Sequence, residues 1–384
     1  MMVIDVNSTV QGRCDRRFYR VKQQFMENMA DSRAGELGAS LAVYCGSQLV
    51  IDLWGGYRDS LRQNAWHRDT PVCVFSCTKG VVSIIAMRLV QAGLLDYDEK
   101  VTTYWPEFGC HGKESTQVKH LLSHQAGLPI LATDLEAGKI WDWSVVTSAL
   151  AASEPKWLAG TRHGYHALTW GYLVGSVLER AAGISLGALL QREVCGPMRV
   201  NFSFGLDAES AARAATLVDF SSTGETPGLM TAMALEKMTK LDEAALLNPA
   251  VANSQHWRAA LIPGANGHCS AIDLATIYQG LIATGKTYLD QDILAQAAAI
   301  QASGKDAVLR VESAYGMGFQ LPTEDLTPGS AVSSGCYGHK GIYGATGFVD
   351  PEQKLAVGYV MNRCGDVQGD ERAKALLASI YSCV

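Results

Sequence analysis

The stretch from Val72 to Gly93, Val-Cys-Val-Phe-Ser-Cys-Thr-Lys-Gly-Val-Val-Ser-Ile-Ile-Ala-Met-Arg-Leu-Val-Gln-Ala-Gly, changes its hydrophobic period part-way along. Val72–Phe75 is a short β-rich run entered from the turn-forming Asp69-Thr70-Pro71. From Ser76 onward Val81, Ile84, Ile85 and Leu89 recur at helical spacing, so one helix face should turn inward, and Gly93 is suited to end the helix as a C-cap. The change of period puts Ser76 at the mouth of that helix and Lys79 one turn on. Residues i and i+3 share a helix face, so the Lys79 amine can reach the Ser76 hydroxyl. The helix dipole at Ser76 favours a developing negative charge, and the backbone N–H there has no acceptor inside the helix. A hydroxyl nucleophile, an amine base and an oxyanion donor are thereby predicted within one helical turn.

Two other stretches compete for the nucleophile. Ser153-Glu154-Pro155-Lys156 repeats the Ser-x-x-Lys pattern, but Pro155 and the lack of a following apolar period deny it a helix, so a surface loop is expected. Gly183-Ile184-Ser185-Leu186-Gly187 matches the Gly-x-Ser-x-Gly pattern of esterases. A nucleophile elbow follows an apolar strand, whereas here Trp170, Leu173, Val174, Val177, Leu178 and Ala181 come first at helical spacing. Gly183 is therefore read as a helix C-cap and Ser185 as the N-cap of the next helix.

Toward the N-terminus, Ala39–Cys45 and Gln48–Leu53 are β-rich runs joined at Gly46-Ser47, a predicted hairpin. Before them, residues 16–31 carry Phe18, Val21, Phe25 and Met29 at helical spacing and predict an amphipathic helix over one face of a sheet. Beyond Gly93, residues 97–267 read as mainly helical, broken at Pro106, Gly127-Leu128-Pro129, Gly160 and Gly183, with 205–255 the least organised part. Strands return at Cys336–Gly341, Ala345–Val349 and Lys354–Met361. A type I turn over Asp350-Pro351-Glu352-Gln353 should join the last two, and a helix at about 368–382 closes the chain. The expected fold class is α/β in the α+β sense: an antiparallel sheet flanked by helices, built from residues 1–96 and 268–384, with an inserted, mainly helical domain at 97–267. A site is expected in the cleft between the two lobes.

Composition bounds the function from outside. The 384 residues are 48% hydrophobic and 18% charged, with a formal charge of −6, which describes a globular chain. Its basic residues form no run that could track a phosphate backbone, so nucleic acid is not expected as a partner. Met1–Asp15 has no continuous apolar stretch; neither a signal peptide nor a membrane span is predicted, and a cytoplasmic location is expected. Ten cysteines without a Cys-x-x-Cys pair read as mostly buried free thiols rather than a zinc site or a disulfide framework. His120, His124, His163 and His166 lack metal-ligand spacing and are expected to be structural or to line the cleft. Trp141, Trp143, Trp157 and Trp257 are expected mainly in the core.

In order along the chain, Val74-Phe75-Ser76-Cys77-Thr78-Lys79-Gly80, Gly93-Leu94-Leu95-Asp96, Tyr104-Trp105-Pro106, His120-Leu121-Leu122-Ser123-His124, Gly127-Leu128-Pro129, Gly160 to Tyr172 and Gly338-His339-Lys340-Gly341 resemble the class C β-lactamase and family VIII carboxylesterase group, related to penicillin-binding peptidases. The resemblance covers most of the chain and implies a β-lactamase/transpeptidase-like fold. It also implies that Tyr165 stands beside Ser76 and Lys79 in the cleft, where its phenol could shuttle a proton. Two departures bear on the substrate. The lactamases carry Asn two places after that tyrosine, where this chain has Ala167, and their Lys-Thr-Gly has become His339-Lys340-Gly341. His339 is expected to face the cleft and Lys340 the opposite side of its strand. The resemblance further implies the N–H of Ile342, just after Gly341, as second oxyanion donor with that of Ser76.

The expected function is a serine esterase that hydrolyses small acyl esters through an acyl-enzyme on Ser76, with Lys79 and Tyr165 moving the protons and no metal or organic cofactor required. An acyltransferase or a β-lactamase-type amidase would use the same residues. A non-catalytic scaffold of this fold is the alternative of another class.

Overall fold

Gly46 provides the positive φ, +59°, that a two-residue hairpin loop needs, and in the computed structural model the strands on either side pair across it from Cys45–Gln48 to Gly38–Gly56. The structure describes residues 10–31, 35–131, 139–219, 246–282, 288–323, 332–365 and 370–384. Their strands are β1 (Val10–Cys14), β2 (Gly38–Cys45), β3 (Gln48–Gly56), β4 (Val72–Cys73), β5 (Phe202–Phe204) and β6 (Gly267–Cys269). After these come β7 (Ala302–Lys305), β8 (Glu312–Tyr315), β9 (Gln320–Leu321), β10 (Tyr337–Lys340), β11 (Thr346–Asp350) and β12 (Leu355–Met361).

Nine of them make one antiparallel sheet in the order β1-β3-β2-β12-β11-β10-β9-β8-β7. Its middle is the junction of the two chain ends, where β12 pairs with β2 from Leu355–Cys45 to Met361–Ala39. The β-rich runs near both termini thus form a single sheet, as expected. The region 97–267 is less purely helical than its pattern predicts, because it contains β5, which pairs with β6 at its end, and β6 pairs in turn with β4 in a second, three-stranded sheet. At three residues each, β5 and β6 are too short to display a period of two. The turn before β12 also falls one residue later than predicted. Asp350 stays in β11, where its side chain accepts from the N–H groups of Glu352 and Gln353 (3.1 Å each), and Lys354 turns the chain with φ +54°. Of the span expected to be least organised, residues 220–245 lie outside the described residues; Ala208–Arg213 and Pro249–Ala252 are short helices.

Five helices matter for the site: α1 (Tyr19–Ala30), α2 (Cys77–Gln91), α3 (Thr169–Ala182), α4 (Ala271–Gln279) and α5 (Glu371–Tyr381). Helices α4 and α5 lie on opposite faces of the sheet. Gly358 of β12 abuts the backbone of α4 at Ala271 and Ala275, where a Cβ would collide. Its neighbour Tyr359, on the other face, donates to Glu36, which pairs with Arg372 of α5. Helix α2 is buried around nearly its whole circumference, beyond the single inward face its spacing predicts. It ends as expected at Gly93 (φ +68°), with Gly93 N–H donating to Val90 and Leu94 N–H to Leu89, the paired bonds of a Schellman cap. Among the described residues no single helix is long and apolar enough to cross a membrane.

Candidate active site

Between β4 and α2 the chain makes a strained turn. Phe75 is left-handed (φ +43°) although it carries a large buried side chain. Its carbonyl accepts from the Thr78 N–H (2.9 Å) and the Thr78 hydroxyl, whose oxygen accepts from Gly267 N–H of β6 (2.8 Å). This clamp presents Ser76 as the N-cap of α2, so its N–H and hydroxyl both point away from helical bonding.

Lys79 follows one turn later, with its amine 3.2 Å from Ser76 Oγ. The amine also donates to the carbonyl oxygens of Ala167 and Gly264, at 2.8 Å each. The side chain is fully buried, and no carboxylate pairs with it among the described residues. Burial therefore pulls its pKa down to about 7. A neutral amine has two N–H bonds, which the two carbonyls take, and one lone pair, which is left for the Ser76 hydroxyl.

On the other side of Ser76, the Tyr165 hydroxyl donates to Ser76 Oγ at 2.7 Å. Burial holds this phenol in its protonated form by raising its pKa. Its ring lies 4.8 Å from that of His124 and is stacked with Tyr315 at 6.1 Å. His124 Nδ1 accepts from the His166 N–H at 3.0 Å, and His166 Nε2 accepts from the Leu128 N–H at 3.0 Å, so both imidazoles serve as neutral acceptors. Burial pushes His124 well below its ordinary value and His166 to about 4.

Strand β10 closes the site. Cys77 Sγ donates to the His339 carbonyl at 3.2 Å, and Gly341 sits so close to the Val74 carbonyl that a Cβ would collide with it. The His339 ring lies 6.1 Å from that of Tyr165, tilted by 39°. Burial, reinforced by Lys79, takes its pKa to about 3, and its Nδ1–H donates to the Lys340 carbonyl at 2.8 Å. Ile342 opens a 3₁₀ turn, Ile342–Gly344, which leaves its N–H without an acceptor inside the turn.

A family model described as Beta-lactamase matches residues 20–382. The chain belongs to the Beta-lactamase family. Within that family it is 30% identical over 376 residues to the esterase/beta-lactamase LipL of Mycobacterium tuberculosis, covering 94% of this chain and 84% of LipL. A crystal structure of a family VIII carboxylesterase superposes with a TM-score of 0.86 at 31% identity, covering 98% of this chain and 100% of the other. A penicillin-binding protein homologue from Caulobacter crescentus superposes at 0.85 with 33% identity, again over 98% and 100%. The β-lactamase/transpeptidase-like fold implied by the motifs is thereby established.

The structure brings Ser76, Lys79, Tyr165 and His339 together and separates the rival serines from them. Ser153 ends a helix and Lys156 is exposed on a loop. Gly183 caps α3 with φ +70°, and Ser185 accepts from the Ala188 N–H at 3.3 Å as an N-cap, as its flanking pattern predicts. All ten cysteines are free, six of them buried. Among the described residues no cluster of His, Cys, Asp and Glu is arranged to hold a metal ion. Sequence reasoning missed the carbonyls of Ala167 and Gly264 as partners of Lys79, and Asp306 beneath Tyr165. Backbone acceptors leave no mark in a sequence, and Asp306 lies 141 residues from its partner.

Proposed function

We propose that this protein is a serine esterase acting on small acyl esters, with Ser76 as nucleophile. The neutral Lys79 amine takes the Ser76 proton as Oγ attacks the ester carbonyl. The N–H groups of Ser76 and Ile342 hold the oxyanion, with Gly341 keeping the strand close enough for the second of them. As the C–O bond breaks, Tyr165 gives its proton to the departing alcohol and recovers one from Lys79. Water then adds to the acyl-enzyme by the reverse proton path and releases the acid.

One observation carries this reading: a buried, uncompensated lysine lies 3.2 Å from a serine hydroxyl that a phenol also holds at 2.7 Å. The ester preference is supported by the similarity to LipL and to the family VIII carboxylesterase, and by the two departures at Ala167 and His339. A cytoplasmic setting is supported by ten free thiols, which a reducing compartment preserves. The lobes 1–96 with 268–384 and 97–267 would then enclose the cleft. The test is hydrolysis of short p-nitrophenyl esters by the wild type and Ser76→Ala. Turnover that falls on the order of 10⁶-fold supports the reading, and a variant retaining most activity overturns it.

A further inference from the structure

Tyr165 stands on a segment, residues 162–166, that belongs to no helix or strand; backbone bonds hold His163 and Gly164, and the Tyr165 and His166 amides are held by side chains. The chief of these is Asp306, in the turn between β7 and β8, which is fully buried. Both of its carboxylate oxygens lie 3.1 Å from the Tyr165 N–H. Oδ1 also accepts from the N–H groups of Val308 and Leu309 at 2.8 Å each, and Oδ2 accepts from the Ser313 hydroxyl at 3.2 Å. Ser313 Oγ is in turn 2.9 Å from His163 Nε2, and the His163 carbonyl accepts from the Ala307 N–H at 3.0 Å. No lysine, arginine or histidine forms an ion pair with Asp306 among the described residues.

A buried anion without a counter-cation is costly, and here only charge-assisted hydrogen bonds offset that cost. A turn of this length could satisfy its own N–H groups with a neutral side chain. What a carboxylate adds is a grip on the amide of Tyr165, the residue whose hydroxyl touches Ser76. Besides burial, the negative charge of Asp306 helps keep that phenol protonated.

We infer that Asp306 is a positioning residue for Tyr165: by holding the Tyr165 amide it sets the phenol against the Ser76 hydroxyl, and it acts on the reaction only through that phenol. The inference rests on the proposed proton-carrying role of Tyr165. The test is a double-mutant cycle on hydrolysis of p-nitrophenyl acetate, with kcat and KM measured for the wild type, Asp306→Ala, Tyr165→Phe and the double variant. In the wild-type background Asp306→Ala should lower kcat on the order of a hundredfold, the usual effect of displacing a reacting group by about 1 Å, while KM moves less than about threefold. In the Tyr165→Phe background the same change should alter kcat less than about twofold, since residues acting as one unit are not additive. Asp306→Asn, which keeps one acceptor oxygen, should restore part of the rate.

An equal loss in both backgrounds, or a loss confined to KM, overturns the inference while leaving the role of Tyr165 intact. If Tyr165→Phe alone stays within about twofold of wild type, the proposed role of Tyr165 fails first, since a proton carrier should be worth 10² or more. Should Asp306→Ala not fold, Ser313→Ala, which removes a single bond to the carboxylate, replaces it in the cycle. A loss of about fivefold in the wild type and none beside Tyr165→Phe is then expected, and equal losses refute the inference.

Discussion

The rings of Phe75 and Tyr343 meet edge-on at 5.5 Å, and both residues are left-handed, with φ of +43° and +77°. One precedes the candidate nucleophile and the other follows Ile342, so two strained turns that bracket the proposed oxyanion donors brace each other. Left-handed backbone costs a residue with a Cβ roughly 1–2 kcal/mol, and surrounding packing must over-determine it.

This arrangement predicts an inverted order of substitution at Phe75. At an ordinary buried site alanine destabilises less than glycine. Here Phe75→Gly should be the more stable variant by about 1 kcal/mol, because glycine accepts the positive φ without penalty and both variants lose the same ring. Urea unfolding of the pair checks this; alanine proving the more stable would show that the turn is not strained.

The local part of the site was legible in the sequence, and the non-local part was not. Ser76 and Lys79 are linked by a helix whose period is visible in Val81, Ile84, Ile85 and Leu89, so their contact follows from spacing alone. Tyr165 has no such signature; only the order of motifs along the chain points to it. His124 and His166, expected only to be structural or to line the cleft, carry no mark of their specific partners, and Asp306 leaves no trace because its partner Tyr165 lies 141 residues away. Likewise the central strands β2, β3, β11 and β12 are long enough to show their pattern, whereas β5, β6 and the edge strands β7 to β9 run only two to four residues.

Lys79 sets the expected pH dependence. The amine works as a base only when neutral, and burial places its pKa at about 7. The rate of ester hydrolysis should therefore rise through neutrality and level off above it, with an apparent pKa of about 7 in kcat/KM. Lys79→Arg, charged at every accessible pH, should remove activity. A profile that falls as pH rises through 7 would contradict the assignment.

The proposed ester preference is expected to depend on His339 and Ala167. With its pKa at about 3, His339 is neutral at working pH and offers no cation to a β-lactam carboxylate, and Ala167 offers no side-chain amide. Hydrolysis of p-nitrophenyl acetate should exceed that of a cephalosporin by at least about a hundredfold in kcat/KM, as expected when a polar partner is missing from a site. Ala167→Asn alone should change this ratio little. Efficient cephalosporin turnover with poor ester cleavage would reverse the preference.

Ser185 provides the internal control. Its hydroxyl caps the helix Leu186–Leu190, so Ser185→Ala should lose about 1 kcal/mol of stability and keep its esterase rate within about twofold. A collapse of the rate without loss of stability would move the nucleophile to the Gly-x-Ser-x-Gly stretch.

The most direct measurement is the location of the covalent intermediate. Protein treated with a fluorophosphonate, then digested and analysed by mass spectrometry, should carry a single adduct on the peptide containing Ser76, and Lys79→Ala should form it far more slowly. An adduct on the peptide containing Ser185, or labelling of Ser76 at an unchanged rate without the Lys79 amine, would contradict the mechanism.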